Sequence, residues 1–281
     1  MSPDQRLPVR RTAKLYVGGQ FPRSESGRTF EVWSRDGRLL AHAARASRKD
    51  LRDAVVAARG ALGGWASRTA SNRGQILYRV AEIMEGRRAQ LEDELRESGA
   101  SDPAGEVSLA IDRWVWYAGW ADKIAQIAGG ANPVAGPYFN FTVPEPTGVV
   151  GVIAPSEPAL LGSVSRIAPV VVSGNVAIAV ASERSPLPAV SLAEALATSD
   201  IPGGVINILT GSPRELVPWL AAHMDVNAID LTGCPDELVA DAERAAADNV
   251  KRVHRAGPAE QHLSEITAFV EFKTVWHPMG A

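Results

Sequence analysis

From about residue 147 onward, the hydrophobic positions fall into short runs separated by longer stretches with helical spacing. The short runs predict five strands, at Val149–Ala154, Val176–Ala181, Val205–Leu209, Val226–Leu231 and Lys251–His254. The stretches between them predict helices at Ala159–Val172, Leu187–Ala197, Pro213–His223 and Asp236–Asn249. Apolar strands that alternate with helices indicate right-handed crossovers and a parallel sheet with helices on both faces. The sequence therefore predicts an α/β fold with a Rossmann-like, doubly wound core of five strands at residues 148–256.

The residues before this core combine a hairpin signal with long helical periods. Asp36-Gly37 lies between two apolar runs and predicts a β-hairpin over residues 28–42. Three helices should follow, from Ser47 to Gly63-Gly64, from Ser71 to Gly99 and from about Gly105 to Ile127. The third helix carries four aromatic residues at a spacing typical of a buried face, namely Trp114, Trp116, Tyr117 and Trp120.

One further strand stands apart from the alternating units. After a polar connector at Ala256–Glu265, the apolar run Ile266–Trp276 predicts a terminal strand. A single strand is not stable alone, so it must pair with another strand. Its predicted partner is Tyr138–Val143, which alternates like a strand within a segment rich in Gly and Pro.

The composition and net charge of the chain argue against nucleic acid and anionic membranes as partners. Hydrophobic residues make up 46% and charged residues 22% of the 281 residues, which is ordinary for a globular chain. The net charge of -3 provides no general attraction to nucleic acid or to an anionic membrane. Arg6, Arg10 and Arg11 make the N-terminal residues locally basic, and we expect a loosely held end there rather than a binding segment.

The cysteine and the histidines exclude two further kinds of chemistry. Cys234 is the only cysteine, so no intrachain disulfide can form, which is consistent with a cytoplasmic protein. No apolar run reaches membrane-spanning length, and we expect no signal peptide. The five histidines show no metal-ligand spacing with one another or with Cys234, so the sequence predicts no metal site.

Several ordered stretches make the chain resemble the aldehyde dehydrogenases. The most specific of them is Ile201-Pro-Gly-Gly-Val-Ile-Asn-Ile-Leu-Thr-Gly211. The others are Leu15–Phe21, Tyr117–Lys123, Pro146–Ile153, Ala168–Asn175 and Lys273–Trp276. The resemblance implies strands and helices of that family's cofactor-type domain at residues 1–128, an oligomerisation hairpin at 129–147, the Rossmann-like core at 148–256, and a connector with the terminal oligomerisation strand at 257–281.

The same resemblance implies a degenerate cofactor site. The family's cofactor positions are occupied here by Pro155, Ser182, Glu183, Thr232 and Gly233. Active members hold the adenosine ribose with a lysine at the position of Val180. Near the pyrophosphate, Pro235 removes an N–H donor and Asp236 adds negative charge. We therefore expect no bound cofactor, or at most weak NAD(P) binding.

The turn at Ala154–Gly162 departs further from the family. Active members carry an asparagine that stabilises an oxyanion at the position of Glu157, and an ionised Glu157 accepts hydrogen bonds but cannot donate one. We predict a structural role instead, with the Glu157 carboxylate at the positive end of the following helix and Pro158 in its first turn. The alternative is a new ligand role for Glu157 together with Ser156.

No catalytic residue can be assigned from the sequence. In the family, a glutamate base and a whole domain with the nucleophilic cysteine follow the fifth strand, whereas Lys251–His254 leads almost directly to the terminal strand. Cys234 matches a cofactor-loop serine and is expected to be inert. The chain thus resembles a truncated, degenerate aldehyde dehydrogenase, similar to the C-terminal module of two-module members that has lost its catalytic residues.

Three functions remain open at this point. The one we favour is a non-catalytic subunit (a pseudoenzyme) that adds Thr267–Trp276, with Tyr138–Val143, to a full-length aldehyde dehydrogenase; a self-dimer through the same strands is its rival. The second is an NAD(P)-dependent aldehyde oxidoreductase that acts in its own right, and the third is a module that senses a nucleotide or metabolite. The sequence does not name the aldehyde, the partner or the stoichiometry.

Overall fold

A small three-stranded sheet occupies the N-terminal part of the computed structural model, which describes residues 11–280. Its strands are β1 (Arg11–Ala13), β2 (Thr29–Trp33) and β3 (Leu39–Ala44), in the order β1-β3-β2. β2 and β3 form the predicted antiparallel hairpin. The sequence predicts a loosely held end at Arg11, but this residue lies in β1 and pairs with Glu94 at 2.8 Å. Arg6 and Arg10 lie outside the described residues.

Five helices follow, and some of their ends differ from those that the sequence predicts. They are α1 (Arg48–Ala66), α2 (Ala70–Gly86), α3 (Arg88–Ser98), α4 (Pro103–Ala118) and α5 (Ile124–Ala128). Ser47 caps α1 as predicted, but Gly63-Gly64 does not end it, because the buried Trp65 donates a hydrogen bond to the carbonyl of Val171 at 2.9 Å and holds the last turn. Thr69, not Ser71, caps α2.

The two longer predicted helices are each interrupted. The second predicted helix is interrupted at Arg87, which separates α2 from α3. α3 ends at the predicted Gly99, which has a positive φ of 89°. Between α4 and α5 lies a turn at residues 119–123. Trp114 and Tyr117 are fully buried, as the aromatic spacing predicts.

The predicted parallel sheet forms the centre of the molecule. After β4 (Gly130–Asn132) and β5 (Tyr138–Pro146), the chain alternates through β6 (Val149–Ile153), α6 (Ala159–Val172), β7 (Val176–Val180), α7 (Leu187–Ala197), β8 (Ile206–Leu209), α8 (Pro213–Ala222), β9 (Ala228–Asp230), α9 (Asp236–Ala247) and β10 (Arg252–His254). The strands run parallel in the order β10-β9-β6-β7-β8. α6 and α7 pack with α2, α3 and α4 on one face, while α1 and α8 pack on the other with α9 against α8.

The C-terminal segment contains a short helix that the sequence does not reveal. α10 (Leu263–Thr267) precedes β11 (Val270–Pro278), so the predicted strand start at Ile266 is wrong. The physical reason is burial: Glu265 and Ile266 turn inward and pack beside α6. β11 pairs antiparallel with β5, with Thr274 opposite Thr142, which confirms the predicted partner.

β4, β5 and β11 form a separate three-stranded sheet in the order β11-β5-β4, which we call the arm. The base of the arm contacts the body of the molecule through α5 and through Arg252 of β10, which donates a hydrogen bond to the carbonyl of Val270 at 2.7 Å and pairs with Glu271 at 3.0 Å. No helix within residues 11–280 combines the length and the apolar character that crossing a membrane requires.

Candidate functional site

At the carboxyl edge of the central sheet, the chain leaves the neighbouring strands β6 and β9 toward opposite faces. The chain leaves β6 toward the face of α6, whereas it leaves β9 toward the face of α9, and the two strands are neighbours. Such a switch point is where open α/β sheets place their ligands. The turns that follow β6, β7 and β9 carry all five residues predicted for the cofactor site.

The turns after β6 and β9 are in direct backbone contact. The N–H of Gly233 donates a hydrogen bond to the carbonyl of Ile153 at 2.9 Å. A Cβ added at Gly233 would lie 2.5 Å from the nitrogen of Pro155 and closer still to the carbonyl of Ala154. Pro155 itself is buried and packs on Gly162. The space between these turns is therefore filled by the protein's own backbone, which explains why glycine is needed at position 233.

Ser182 and Glu183 lie in the turn after β7, and the Ser182 hydroxyl and the Glu183 carboxylate both form hydrogen bonds within the protein. The buried Ser182 hydroxyl accepts a hydrogen bond from the N–H of Ser185 at 3.0 Å and donates one to the carbonyl of Ser156 at 3.4 Å. The exposed Glu183 carboxylate accepts a hydrogen bond from the Ser212 hydroxyl at 3.2 Å. Val180, beside them, is fully buried.

Thr232 joins the turn after β9 to the connector, which we define as residues 255–262. Its hydroxyl accepts a hydrogen bond from the N–H of Ala256 at 3.1 Å. Its own N–H donates to a carboxylate oxygen of Asp230 at 2.8 Å. The connector therefore crosses the carboxyl edge of the sheet at β9 and β10. Of the five predicted residues, the fold brings Pro155 and Gly233 together, Ser182 bonds the turn of Ser156, and Glu183 and Thr232 bond other segments.

The N-terminus of α6 is stabilised by a residue that the sequence did not indicate. The carboxylate of Glu106, in α4, accepts hydrogen bonds from the N–H groups of Leu160 at 2.8 Å and Leu161 at 3.2 Å. The expectation for Glu157 was therefore wrong in detail: its exposed carboxylate pairs with Arg184 at 2.7 Å, and Pro158 is the N-cap rather than a first-turn residue. Burial raises the pKa of Glu106, and its bonds to the two N–H groups oppose that rise.

A cleft of 540 Å³ opens beside this helix start. Its walls combine charges of both signs, with Arg35 and Arg184 against Glu106 and Glu157. The Glu157–Arg184 pair is mostly exposed and is worth little energy. The balance of charge in the cleft favours neither an anion nor a cation.

A buried cluster of ionisable groups lies beneath the connector. Arg166 of α6 is fully buried and pairs with Glu265 of α10, and it lies 3.7 Å from Asp230 at the end of β9. His254, the last residue of β10, bonds to Glu265 at 2.9 Å. Burial alone would lower the pKa of His254, but the hydrogen bond to Glu265 and the negative charges of Asp230 and Glu265 together outweigh burial, and the pKa is raised. We call Arg166, Asp230, His254 and Glu265 the ion cluster.

Arginines attach the connector to the helices. Arg113 of α4 donates hydrogen bonds to the carbonyls of Ala259 at 3.0 Å and Glu260 at 2.8 Å, and Arg166 donates to the carbonyl of Glu260 at 3.1 Å. Arg113 also donates to the hydroxyl of Ser165 at 2.7 Å. The connector between β10 and α10 is therefore held against α4 and α6 by these hydrogen bonds.

The only thiol in the chain lies in an unreactive environment. Cys234 is buried, and burial raises the pKa of its thiol to about 11. The charge of Arg255 lowers the pKa of the thiol and the charges of Glu237 and Asp236 raise it, but burial has the largest effect, so the thiolate is disfavoured. Among residues 11–280, no group of three or more His, Cys, Asp or Glu side chains is arranged so that it could hold a metal ion.

We expect Cys234 to react very slowly with thiol reagents. With a pKa of about 11, only about one thiol in a thousand is ionised at pH 8. Ellman's reagent should therefore modify the native protein roughly a hundredfold more slowly than the same protein unfolded in guanidinium. Fast modification of the native chain at pH 8 would mean that the thiol is activated and would contradict this assignment.

The ion cluster and Glu106 are the functional residues that the sequence did not reveal. One signal for the cluster exists: Arg166 is the single charged residue within the apolar helix Ala159–Val172. A charge inside a helix that is apolar all round must be paired when it is buried. Nothing in the sequence indicated that its partner Glu265 lies on a helical turn of the connector region.

Comparisons with known proteins give one consistent result. A family model described as "Aldehyde dehydrogenase family" matches residues 21–262. Retinal dehydrogenase 2 of Homo sapiens is 35% identical over 260 residues, which is 90% of this chain and 49% of that protein. The structure of HpcC from Thermus thermophilus superposes with a TM-score of 0.83 at 31% identity, over 88% of this chain and 48% of that one.

Another solved structure is described as the NAD+ complex of an aldehyde dehydrogenase from Bacillus cereus. It is similar to this chain with a TM-score of 0.82 at 26% identity, over 87% of this chain and 50% of that one. This chain thus spans about half the length of the curated relatives and solved structures that it matches.

Proposed function

Because this chain belongs to the aldehyde dehydrogenase family, we propose that it is a non-catalytic subunit that docks through the arm onto a full-length aldehyde dehydrogenase, a separate chain. The observation that carries the proposal is the unpaired outer edge of β11. Among residues 11–280, β11 lies at the end of its sheet, and its nine residues pair with β5 on one side only. At about 3.3 Å per residue this edge is roughly 30 Å long. A long, uncovered strand edge is a template for another chain.

The side chains of the arm support the same interpretation. Exposed apolar side chains lie on both faces of the arm, beside polar ones such as the Lys273–Glu145 ion pair: Trp276 is 59% and Val275 43% exposed, and they point to opposite faces because side chains alternate along a strand. Four further apolar side chains of the arm are also exposed, namely those of Phe272, Tyr138, Phe139 and Val143. Trp276 and Tyr138 form an edge-to-face pair with ring centroids 5.8 Å apart. So many exposed aromatic and aliphatic side chains on one small sheet suggest an interface.

The family resemblance suggests which kind of partner covers the arm. It implies that the terminal strand packs against the catalytic domain of a neighbouring subunit. In this chain residues 255–269, between β10 and β11, form the connector and α10, and no catalytic domain is inserted there. The arm therefore retains the donor strand without the receiving domain, which a full-length relative would provide.

The site geometry argues for a non-catalytic role. A dinucleotide needs backbone N–H donors at its pyrophosphate, but the N–H of Gly233 is already bonded to Ile153 and Pro235 has none. Carboxylates of Asp236 and Glu237 begin α9, where a phosphate would otherwise be attracted. The residues present fit the pyrophosphate poorly, and the inert Cys234 offers no nucleophile.

The test is assembly with a purified partner. The chain is mixed with each full-length aldehyde dehydrogenase encoded in its own source genome, and the mass of the complex is measured by analytical ultracentrifugation. We expect a mixed species of defined stoichiometry. Val275→Asp places a charge on the arm and should abolish that species. The matched control is Val56→Asp on α1, at a position 66% exposed and away from the arm, which should leave assembly unchanged.

Three results would overturn the proposal. One is a stable homodimer whose mass does not change when the full-length enzymes are added. Another is a mixed species that survives Val275→Asp and Trp276→Asp alike, which would place the contact elsewhere. The third is reduction of NAD or NADP by the chain alone in the presence of short aldehydes.

A further inference from the structure

A groove of 560 Å³ lies between α1 and α8, on the face of the sheet opposite α6. Its apolar floor consists of Leu51, Ala222 and Trp219, whose indole is 44% exposed. Arg48, Lys49 and Arg52 line one wall, and His223 lines the other. A flat aromatic surface with three cationic side chains beside it is an uncommon combination on a chain of net charge -3.

The aromatic and cationic groups are in contact. The guanidinium carbon of Arg48 lies 3.8 Å from the centroid of the Trp219 ring. A guanidinium stacked on an indole keeps its N–H groups in its own plane, where they can still donate hydrogen bonds to an oxygen beside the stack. Among the described residues Arg48 has no carboxylate partner, so its charge is held in place by the ring alone.

The acidic groups near the groove pair with two of its three cations, Lys49 and Arg52. Glu25, the one carboxylate that lines it, pairs with Lys49 at 3.6 Å and accepts a hydrogen bond from the Ser47 hydroxyl at 3.0 Å. Arg52 pairs with its exposed neighbour Asp53, to which it donates from Nε at 3.3 Å and from Nη2 at 3.1 Å, and such an exposed pair is worth little energy. Arg48 is therefore available to an anion that enters the groove, and Arg52 can exchange its weak pair for one.

His223 contributes a neutral donor. Burial lowers the pKa of its ring, which favours the neutral form. Its Nδ1 accepts a hydrogen bond from the N–H of Asp225 at 3.2 Å, so the proton of the neutral ring lies on Nε2. The groove thus contains hydrogen-bond donors on both walls above an aromatic floor.

We propose that this groove binds a small ligand in which a phosphate group is joined to a planar aromatic ring, such as a nucleoside monophosphate. The dianionic phosphate would accept hydrogen bonds from Arg48 and Arg52, which hold such groups better than a neutral donor does. The ring would stack on Trp219 or on the guanidinium that covers it. Both the ring and the phosphate are required, because the aromatic surface of Trp219 contacts the ring and the arginines bind the phosphate.

This proposal is independent of the docking of the arm. The groove lies on α1 and α8, whereas the arm is formed by β4, β5 and β11. It is also separate from the switch point between β6 and β9, because none of Pro155, Ser182, Glu183, Thr232 and Gly233 lines it. Loss of the groove should therefore leave assembly with a full-length enzyme unchanged.

Isothermal titration of the full chain tests the proposal with AMP, adenosine and inorganic phosphate as probes. We expect AMP to bind with a Kd below about 1 mM, and adenosine and phosphate each to bind at least about tenfold more weakly. Trp219→Ala and Arg48→Ala should each weaken AMP binding by about tenfold or more. Arg48→Lys, which keeps the charge but not the planar fork, should fall between Arg48→Ala and the wild type.

Matched variants exclude a general effect on the surface. Trp33→Ala removes another half-exposed tryptophan, and Arg79→Ala removes an exposed arginine of α2; neither should change AMP binding. The proposal is overturned if AMP does not bind below about 1 mM, or if phosphate alone binds as tightly as AMP. It is equally overturned if Trp219→Ala and Arg48→Ala leave AMP binding intact, which would place the ligand at another site.

Discussion

Arg166→Met is expected to destabilise the protein by about 3–5 kcal/mol, the largest effect that we expect from a single substitution. Arg166 is fully buried and faces two carboxylates, those of Glu265 and Asp230. Burial already raises the pKa of Asp230. Without the guanidinium, both carboxylates would be buried with no cation except His254. Chemical unfolding monitored by circular dichroism measures the loss.

The dependence on pH identifies the cause of that loss. In the wild-type protein burial alone would raise the pKa of Glu265, but the hydrogen bonds from His254 and Arg166 together with the positive charges of both groups outweigh burial, and the pKa is lowered. The stability that Glu265 contributes is therefore present above its unfolded pKa and is lost as the pH falls through its folded pKa. In Arg166→Met the buried carboxyl groups should favour the protonated form, so acidification should recover stability instead of removing it.

Two further variants define the effect of Arg166→Met. Arg244→Met removes an arginine whose pair with Asp241 is exposed on α9, and it should change the unfolding free energy by less than about 0.5 kcal/mol. Arg166→Met combined with Glu265→Leu should recover part of the loss, because one buried charge is removed with its partner. An Arg166→Met protein that is as stable as Arg244→Met would contradict the importance of the ion cluster.

Gly233→Ala should cost about 3 kcal/mol, although it adds only one methyl group. The new Cβ would lie 2.5 Å from the nitrogen of Pro155, and this neighbour is backbone, which cannot rotate away. The turns after β6 and β9 would have to move apart, and the hydrogen bond from Gly233 to Ile153 would lengthen. Overpacking of this kind destabilises because the surrounding structure relaxes only in part.

A second glycine provides the control for Gly233→Ala. Gly60 lies in the interior of α1, where an added Cβ would meet nothing within 4 Å. Gly60→Ala should stabilise the protein by about 0.5–1 kcal/mol, because alanine is the better helix former. Equal and small effects of the two substitutions would show that the switch-point turns are not in tight contact.

The doubly wound core could be predicted from the sequence almost to the residue. The bounds of α6 and α7 agree with the predicted Ala159–Val172 and Leu187–Ala197. These elements are buried on nearly all sides, so their apolar pattern starts and stops sharply. The pairing of β11 with β5 was also predicted, because an isolated strand needs a partner and only one candidate was available.

The parts that could not be predicted depend on contacts between distant residues. The sequence predicts Glu265 in the polar connector and Ile266 in the terminal strand, yet both lie in the helical turn of α10, where Glu265 pairs with the buried Arg166 of α6. Likewise, Glu106 replaces Glu157 at the start of α6 because α4 brings a carboxylate from 54 or more positions away in the chain. The Trp219–Arg48 contact joins helices that share no sequence signal. In each case the positions of the residues along the chain do not indicate that they come into contact in the folded protein.

The attachment of the connector has a consequence for how this protein can change during evolution. Arg113 and Arg166 hold residues 259 and 260 by their carbonyl oxygens, which every amino acid possesses. The side chains of Pro258, Glu260 and Gln261 are exposed. Related chains should therefore vary freely in the identity of these residues, while an insertion or deletion would shift the carbonyls out of reach of both arginines. At this place the fold restricts length and leaves composition free.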